Sequence, residues 1–86
     1  MRWEVWVDDR NRVARYNLAY INPVLYAADN GRVMGYDSAH GRHHRHFKGE
    51  VFEVNYRSLA EIERRFQSER RELIREGKNA TSRDED

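Results

Sequence analysis

Residues 40–46 read His40-Gly41-Arg42-His43-His44-Arg45-His46 and hold all four histidines of the chain. Imidazole donates, accepts or carries a proton near neutral pH, and it also ligates metals. A carboxylate and two hydroxyls stand just upstream in Tyr36-Asp37-Ser38. This stretch is the expected chemical centre. If residues 42–46 form a strand, side chains alternate across the sheet. His44 and His46 then share one face, and His43 and Arg45 share the other. Phe47 is the expected core anchor, which puts His44 and His46 on the more open face. Asp37 and His40 precede the bend at Gly41 and are expected to fold back toward that pair.

Three chemistries fit these residues. One is metal-free acid–base cleavage of RNA. An imidazole takes the ribose 2′-hydroxyl proton, a second protonates the leaving oxygen, and an arginine (Arg42 or Arg45) stabilises the charge on phosphorus. Another is a divalent metal site at His44 and His46, with Asp37 or His40 as a third ligand. The last is a polar, histidine-rich strand that only binds a partner. Tyr36 is read as an acid, as a residue that stacks on a base, or as half-buried packing. Asp29 is expected to shape the neighbouring turn. Trp3 and Trp6 are three apart, so on a strand one faces the core and the other an edge or a partner.

Composition narrows the classes. The chain has 86 residues, which suits one small domain with a modest core, and a formal net charge of +1, which does not announce a nucleic-acid binder. Local charge differs, because Arg42, Arg45 and Lys48 interleave the imidazoles and make an electropositive stretch when these protonate. There is no cysteine, which excludes disulfides, thiolate nucleophiles and zinc–cysteine sites. No stretch is apolar enough to span a bilayer, and the first residues lack a signal-peptide core. A soluble, cytoplasmic protein with no membrane partner is expected.

The elements that must position the site follow from periodicity. Residues 3–7 are aromatic and β-branched and read as a strand, broken by Asp8-Asp9-Arg10-Asn11. Residues 13–21 alternate, with Tyr16, Leu18 and Tyr20 on one face and Arg15 and Asn17 on the other. Pro23 limits that strand. Val24-Leu25-Tyr26 reads as the start of the next. Asn30-Gly31 predicts a type I′ hairpin turn into a return strand over 33–37. Phe47-Lys48-Gly49-Glu50 is a further turn, and residues 51–55 pair back, with Phe52 and Val54 toward the core. Ser58 and Glu61 form a capping box. Leu59, Ile62, Phe66, Leu73 and Ile74 recur at helical spacing up to Gly77, which is expected to end the helix. The expected fold is α+β: an antiparallel meander of about five strands against one C-terminal helix. A single domain spans 1–77, with a polar tail over 78–86.

The stretch Asn30-Gly31-Arg32-Val33-Met34-Gly35-Tyr36-Asp37-Ser38-Ala39-His40-Gly41-Arg42-His43-His44-Arg45-His46 resembles the central motif of the TumE-like toxins of bacterial toxin–antitoxin modules. That motif has the form D-N-G-x-V-x-G-Y-D-N-A-H-G-x-H-H-R-H. The flanks fit as well, with a short aromatic N-terminal strand, a glycine after the histidines and a phenylalanine in the C-terminal helix. The resemblance implies a small cytoplasmic toxin neutralised by a cognate DNA-binding antitoxin. RNA cleavage is the activity common among such toxins. Asp37, His40, His43, His44 and His46 match the motif, whereas Ser38 replaces its asparagine and loses the amide's paired donor and acceptor. On this reading His44, His46, His40 and Asp37 are catalytic, and Arg42, Arg45, Tyr36, Ser38 and His43 contact substrate. RNA and the antitoxin are the expected partners, and exposed sheet edges favour a homodimer. The competing expectation is a non-enzymatic module whose basic strand and helix engage an antitoxin or nucleic acid.

Overall fold

The computed structural model describes residues 1–39 and 41–85, and side chains as far as residue 76. Five strands, β1 (Arg2–Val7), β2 (Val13–Ile21), β3 (Arg32–Ala39), β4 (Arg42–Phe47) and β5 (Glu50–Glu53), precede a helix, α1 (Leu59–Glu85). Each strand pairs antiparallel with the next in sequence, in the order β1-β2-β3-β4-β5. The fold is therefore the expected α+β meander with one C-terminal helix.

Alternation sorts the strands into two faces. Tyr16, Leu18, Tyr20, Val33, Met34 and Tyr36 from the sheet meet Ile62 and Phe66 of α1 in the core. Leu59, Leu73 and Ile74 pack against it. Trp3 meets Phe66 edge-on, with ring centroids 5.7 Å apart. Trp6, on the uncovered face, lies 4.7 Å beneath the Arg15 guanidinium. Ser58 Oγ accepts the Glu61 N–H at 3.2 Å, which satisfies one of the unpaired donors at the helix start.

Four local expectations need correction. Val24-Leu25-Tyr26 is not a strand: after Pro23 the chain wraps around Asn22, whose side-chain and backbone oxygens accept the N–H groups of Val24, Leu25 and Tyr26. Val24 is left 94 % exposed. Asn30-Gly31 consequently closes no hairpin. Both keep positive φ, 56° and 80°, but in a 3₁₀ turn that feeds β3. Lys48-Gly49, by contrast, makes the expected turn, with φ 44° and 85° between the paired residues Phe47 and Glu50. Phe52 is 44 % exposed because α1 packs over β2 and β3 and leaves the edge strand β5 uncovered. Gly77 does not stop the helix, which runs to Glu85. An interior glycine costs only about 1 kcal/mol relative to alanine, and no proline follows to break the turn.

Among the described residues, no helix is long and apolar enough to cross a membrane.

Candidate functional site

The β3–β4 ladder sets the site. Its register pairs Gly35 with His46, Tyr36 with Arg45, Asp37 with His44 and Ser38 with His43. Alternation then sends Asp37, His44 and His46 to the face that α1 does not cover. His46 Nε2–H donates to Asp37 Oδ2 at 2.9 Å. His44 Nδ1 stands 3.7 Å from Asp37 Oδ1. The two imidazoles lie 6.5 Å apart between centroids, tilted by 59°. Gly35, directly across from His46, places no side chain beside that ring. Arg32 adds a guanidinium 3.8 Å from Asp37 and is itself anchored by a 2.9 Å bond from Nε to Asp29.

With the Nε2 proton committed to Asp37, a neutral His46 keeps a lone pair on Nδ1. This is the carboxylate–imidazole arrangement that orients a base and stabilises its protonated form. His44 is placed to act as a second acid or base nearby. Arg42 is exposed and, by alternation, belongs to the same face. No set of three His, Asp or Glu groups among the described residues is arranged to hold a metal ion.

The other side chains singled out in sequence go elsewhere. Tyr36 is buried on the helix side, where its hydroxyl donates to Glu69 of α1. Burial, followed by this contact, pushes its pKa up to about 12. Arg45 donates to the same carboxylate through Nε at 2.9 Å and Nη2 at 2.6 Å. Glu69 holds that guanidinium all the more firmly protonated. Neither Tyr36 nor Arg45 stands on the Asp37 face. The electropositive character expected of the run is also reduced: Arg45 is neutralised, and Arg2, Arg15, Arg32 and Arg42 share the open face with Glu4, Asp29, Asp37 and Glu53.

His43 and Ser38 stand on the helix side too. The Tyr16 hydroxyl lies 2.9 Å from His43 Nδ1, and the Tyr56 ring stacks on the imidazole at 4.0 Å and 10°. Burial, with help from nearby His44, lowers the His43 pKa. Ser38 Oγ accepts the Tyr16 backbone N–H at 3.0 Å. His40 lies outside the described residues.

Arg32, Glu69 and Tyr56 were not singled out in sequence. Glu69 had a signal: in the series Ile62, Phe66, Glu69, Leu73, with spacings of four, three and four, it takes a core-facing slot. A carboxylate in an apolar stripe demands a cationic or hydroxyl partner. Arg32 and Tyr56 had none, since their contacts depend on register and on the path of the chain after β5.

Comparison of the chain with protein-family models, curated proteins and solved structures finds no match in any of the three.

Proposed function

We propose that this chain is an RNA-cleaving toxin of a toxin–antitoxin module, acting through His44 and His46. The observation that carries the proposal is Asp37 standing between the two imidazoles on the uncovered sheet face, bonded to one and 3.7 Å from the other. The resemblance of residues 30–46 to the TumE-like motif points the same way and supplies the toxin assignment.

In the proposed reaction His46 Nδ1 takes the proton from a ribose 2′-hydroxyl while Asp37 steadies the imidazolium. The 2′-oxygen bonds to phosphorus, the bond from phosphorus to the 5′-oxygen breaks, and His44 protonates that leaving oxygen. The products are a 2′,3′-cyclic phosphate and a 5′-hydroxyl. Arg42 is the guanidinium available for the charge that builds on phosphate, since Arg32 is tied to Asp29 and Arg45 to Glu69. No metal is required for this sequence of steps. Since no three such ligands are arranged to hold a metal among the described residues, cleavage should be insensitive to chelators.

The test is incubation of purified protein with RNA and identification of the new ends. Cyclic phosphate termini that disappear in His46→Ala and His44→Ala, and persist in His43→Ala, support the proposal. Full toxicity of both His44→Ala and His46→Ala in cells defeats it.

A second reading is a binding module for an antitoxin or a second copy, without turnover. The edge strand β1, with Trp3, Val5 and Val7 partly exposed, favours it. It predicts salt-sensitive binding, no cleavage products and tolerance of His→Gln changes.

A further inference from the structure

The proposed reaction leaves His43 without a task, yet His43 has a defined setting. Strand β2 begins at Val13, but its register with β3 begins only at Asn17, opposite Asp37. Upstream of that pair the two strands part. Tyr16 N–H, where the ladder would continue, is taken by the side chain of Ser38. The β1–β2 register shifts between Trp6 and Val7, beside the same end of β2. The gap is a cleft of about 450 Å³ whose lining includes Val13, Tyr16, Ser38, Ala39, His43 and Tyr56. That volume is within the range of small-molecule sites, roughly 300–1,000 Å³.

Flat rings dominate one wall. Tyr56 and His43 stack at 4.0 Å, and Tyr16 lies nearly parallel to both, at 19° and 25°. Tyr16 is buried, but Tyr56 remains 36 % exposed although its inner face is covered by the imidazole. The polar groups are fixed. A hydrogen bond between the Tyr16 hydroxyl and His43 Nδ1 holds the imidazole in place and leaves Nε2 as its other polar atom. Ser38 accepts from Tyr16 N–H and retains its own hydroxyl proton. A planar ligand with polar groups on its rim matches this set: it stacks on the aromatic wall and hydrogen-bonds at its edge with His43 and Ser38.

We infer that the cleft between the parted ends of β2 and β3 is a nucleobase-binding site, walled by the rings of Tyr16, His43 and Tyr56. Nucleobases combine a π-face with a polar edge, and stacking on an aromatic side chain contributes to affinity for every base. The base arrives either as a free nucleoside or as part of RNA. The site stands on its own geometry and does not depend on cleavage by His44 and His46.

The experiment is an NMR titration that follows the aromatic ring signals of Tyr56 and the four histidines. One arm adds adenosine, guanosine, cytidine and uridine singly; the other adds a short single-stranded oligoribonucleotide. The expected result is a saturable shift of the His43 and Tyr56 signals. Tyr56→Ala weakens it roughly tenfold or more. Tyr56→Phe keeps it nearly intact. Response to nucleosides assigns the free base as ligand, and response to the oligonucleotide alone assigns RNA. No shift at His43 and Tyr56 in either arm, or an unchanged affinity in a folded Tyr56→Ala protein, overturns the inference. Signals moving only at His44 and His46 would overturn it too, while leaving the cleavage proposal standing. Thermal unfolding of each variant verifies that it is folded.

Discussion

Asp37 faces His44 in the strand register, yet its hydrogen bond comes from His46, the diagonal neighbour two residues further along β4. A carboxylate set between two imidazoles gives them unequal environments. His46 is held and only 14 % exposed, whereas His44 stands 3.7 Å off and is freer. In the proposed reaction that asymmetry would separate the positioned base, His46, from the acid, His44.

Removal of the held imidazole should be the more damaging change. His46→Ala is expected to lower RNA cleavage by roughly 10²–10⁴-fold, the usual contribution of a positioned acid or base. Asp37→Asn should reduce cleavage and also move the pH–rate profile, because an amide cannot stabilise the imidazolium. Rate against pH for both variants checks this.

The Glu69 carboxylate serves two clients, Tyr36 and Arg45. Glu69→Ala strands a buried hydroxyl and a partly buried guanidinium, and should cost roughly 1–3 kcal/mol. Tyr36→Phe removes only one hydrogen bond and leaves the ion pair, so about 1 kcal/mol is expected. Urea denaturation of the two variants should preserve that order.

Gly35 is required by a close approach. A Cβ there would lie 2.7 Å from the Leu18 carbonyl oxygen, a backbone atom, and 3.3 Å from Arg32 Cδ. Gly35→Ala should destabilise the protein by roughly 1–3 kcal/mol through overpacking. It should also disturb His46, and a changed His46 ring signal in the NMR spectrum would report that.

Stability should fall on mild acidification through His43. Its folded pKa is lowered from 6.5 by burial, so the unfolded chain takes up the proton first. The contribution is therefore fully present above the unfolded value and is lost as pH falls below it toward the folded value. Urea midpoints measured across that window should drop in the wild type. His43→Phe, which keeps a flat ring and cannot protonate, should flatten the dependence.

Alternation carried most of the legible information. Tyr16, Leu18 and Tyr20 announced β2, and the same rule separated His44 and His46 from His43 and Arg45 before any coordinates. The β2–β3 connection was not legible, because Asn30-Gly31 has the φ freedom of a hairpin turn wherever it occurs. Asn22, which collects three backbone donors after Pro23, wraps the chain there and leaves Asn30-Gly31 to a 3₁₀ turn at the entry to β3. Phe52 misled for a related reason: a strand's pattern names its core face but not whether the helix reaches that far. Arg32 depended on tertiary register, which no local pattern encodes.

The segregation of β4 has an evolutionary corollary. Its side chains are assigned by parity, so the count of residues matters more than any one identity. A single insertion or deletion between Gly41 and His43 would exchange the two inventories. It would drive His44 and His46 against the helix and put His43 and Arg45 in their place. Viable length variation should therefore come in steps of two within this strand.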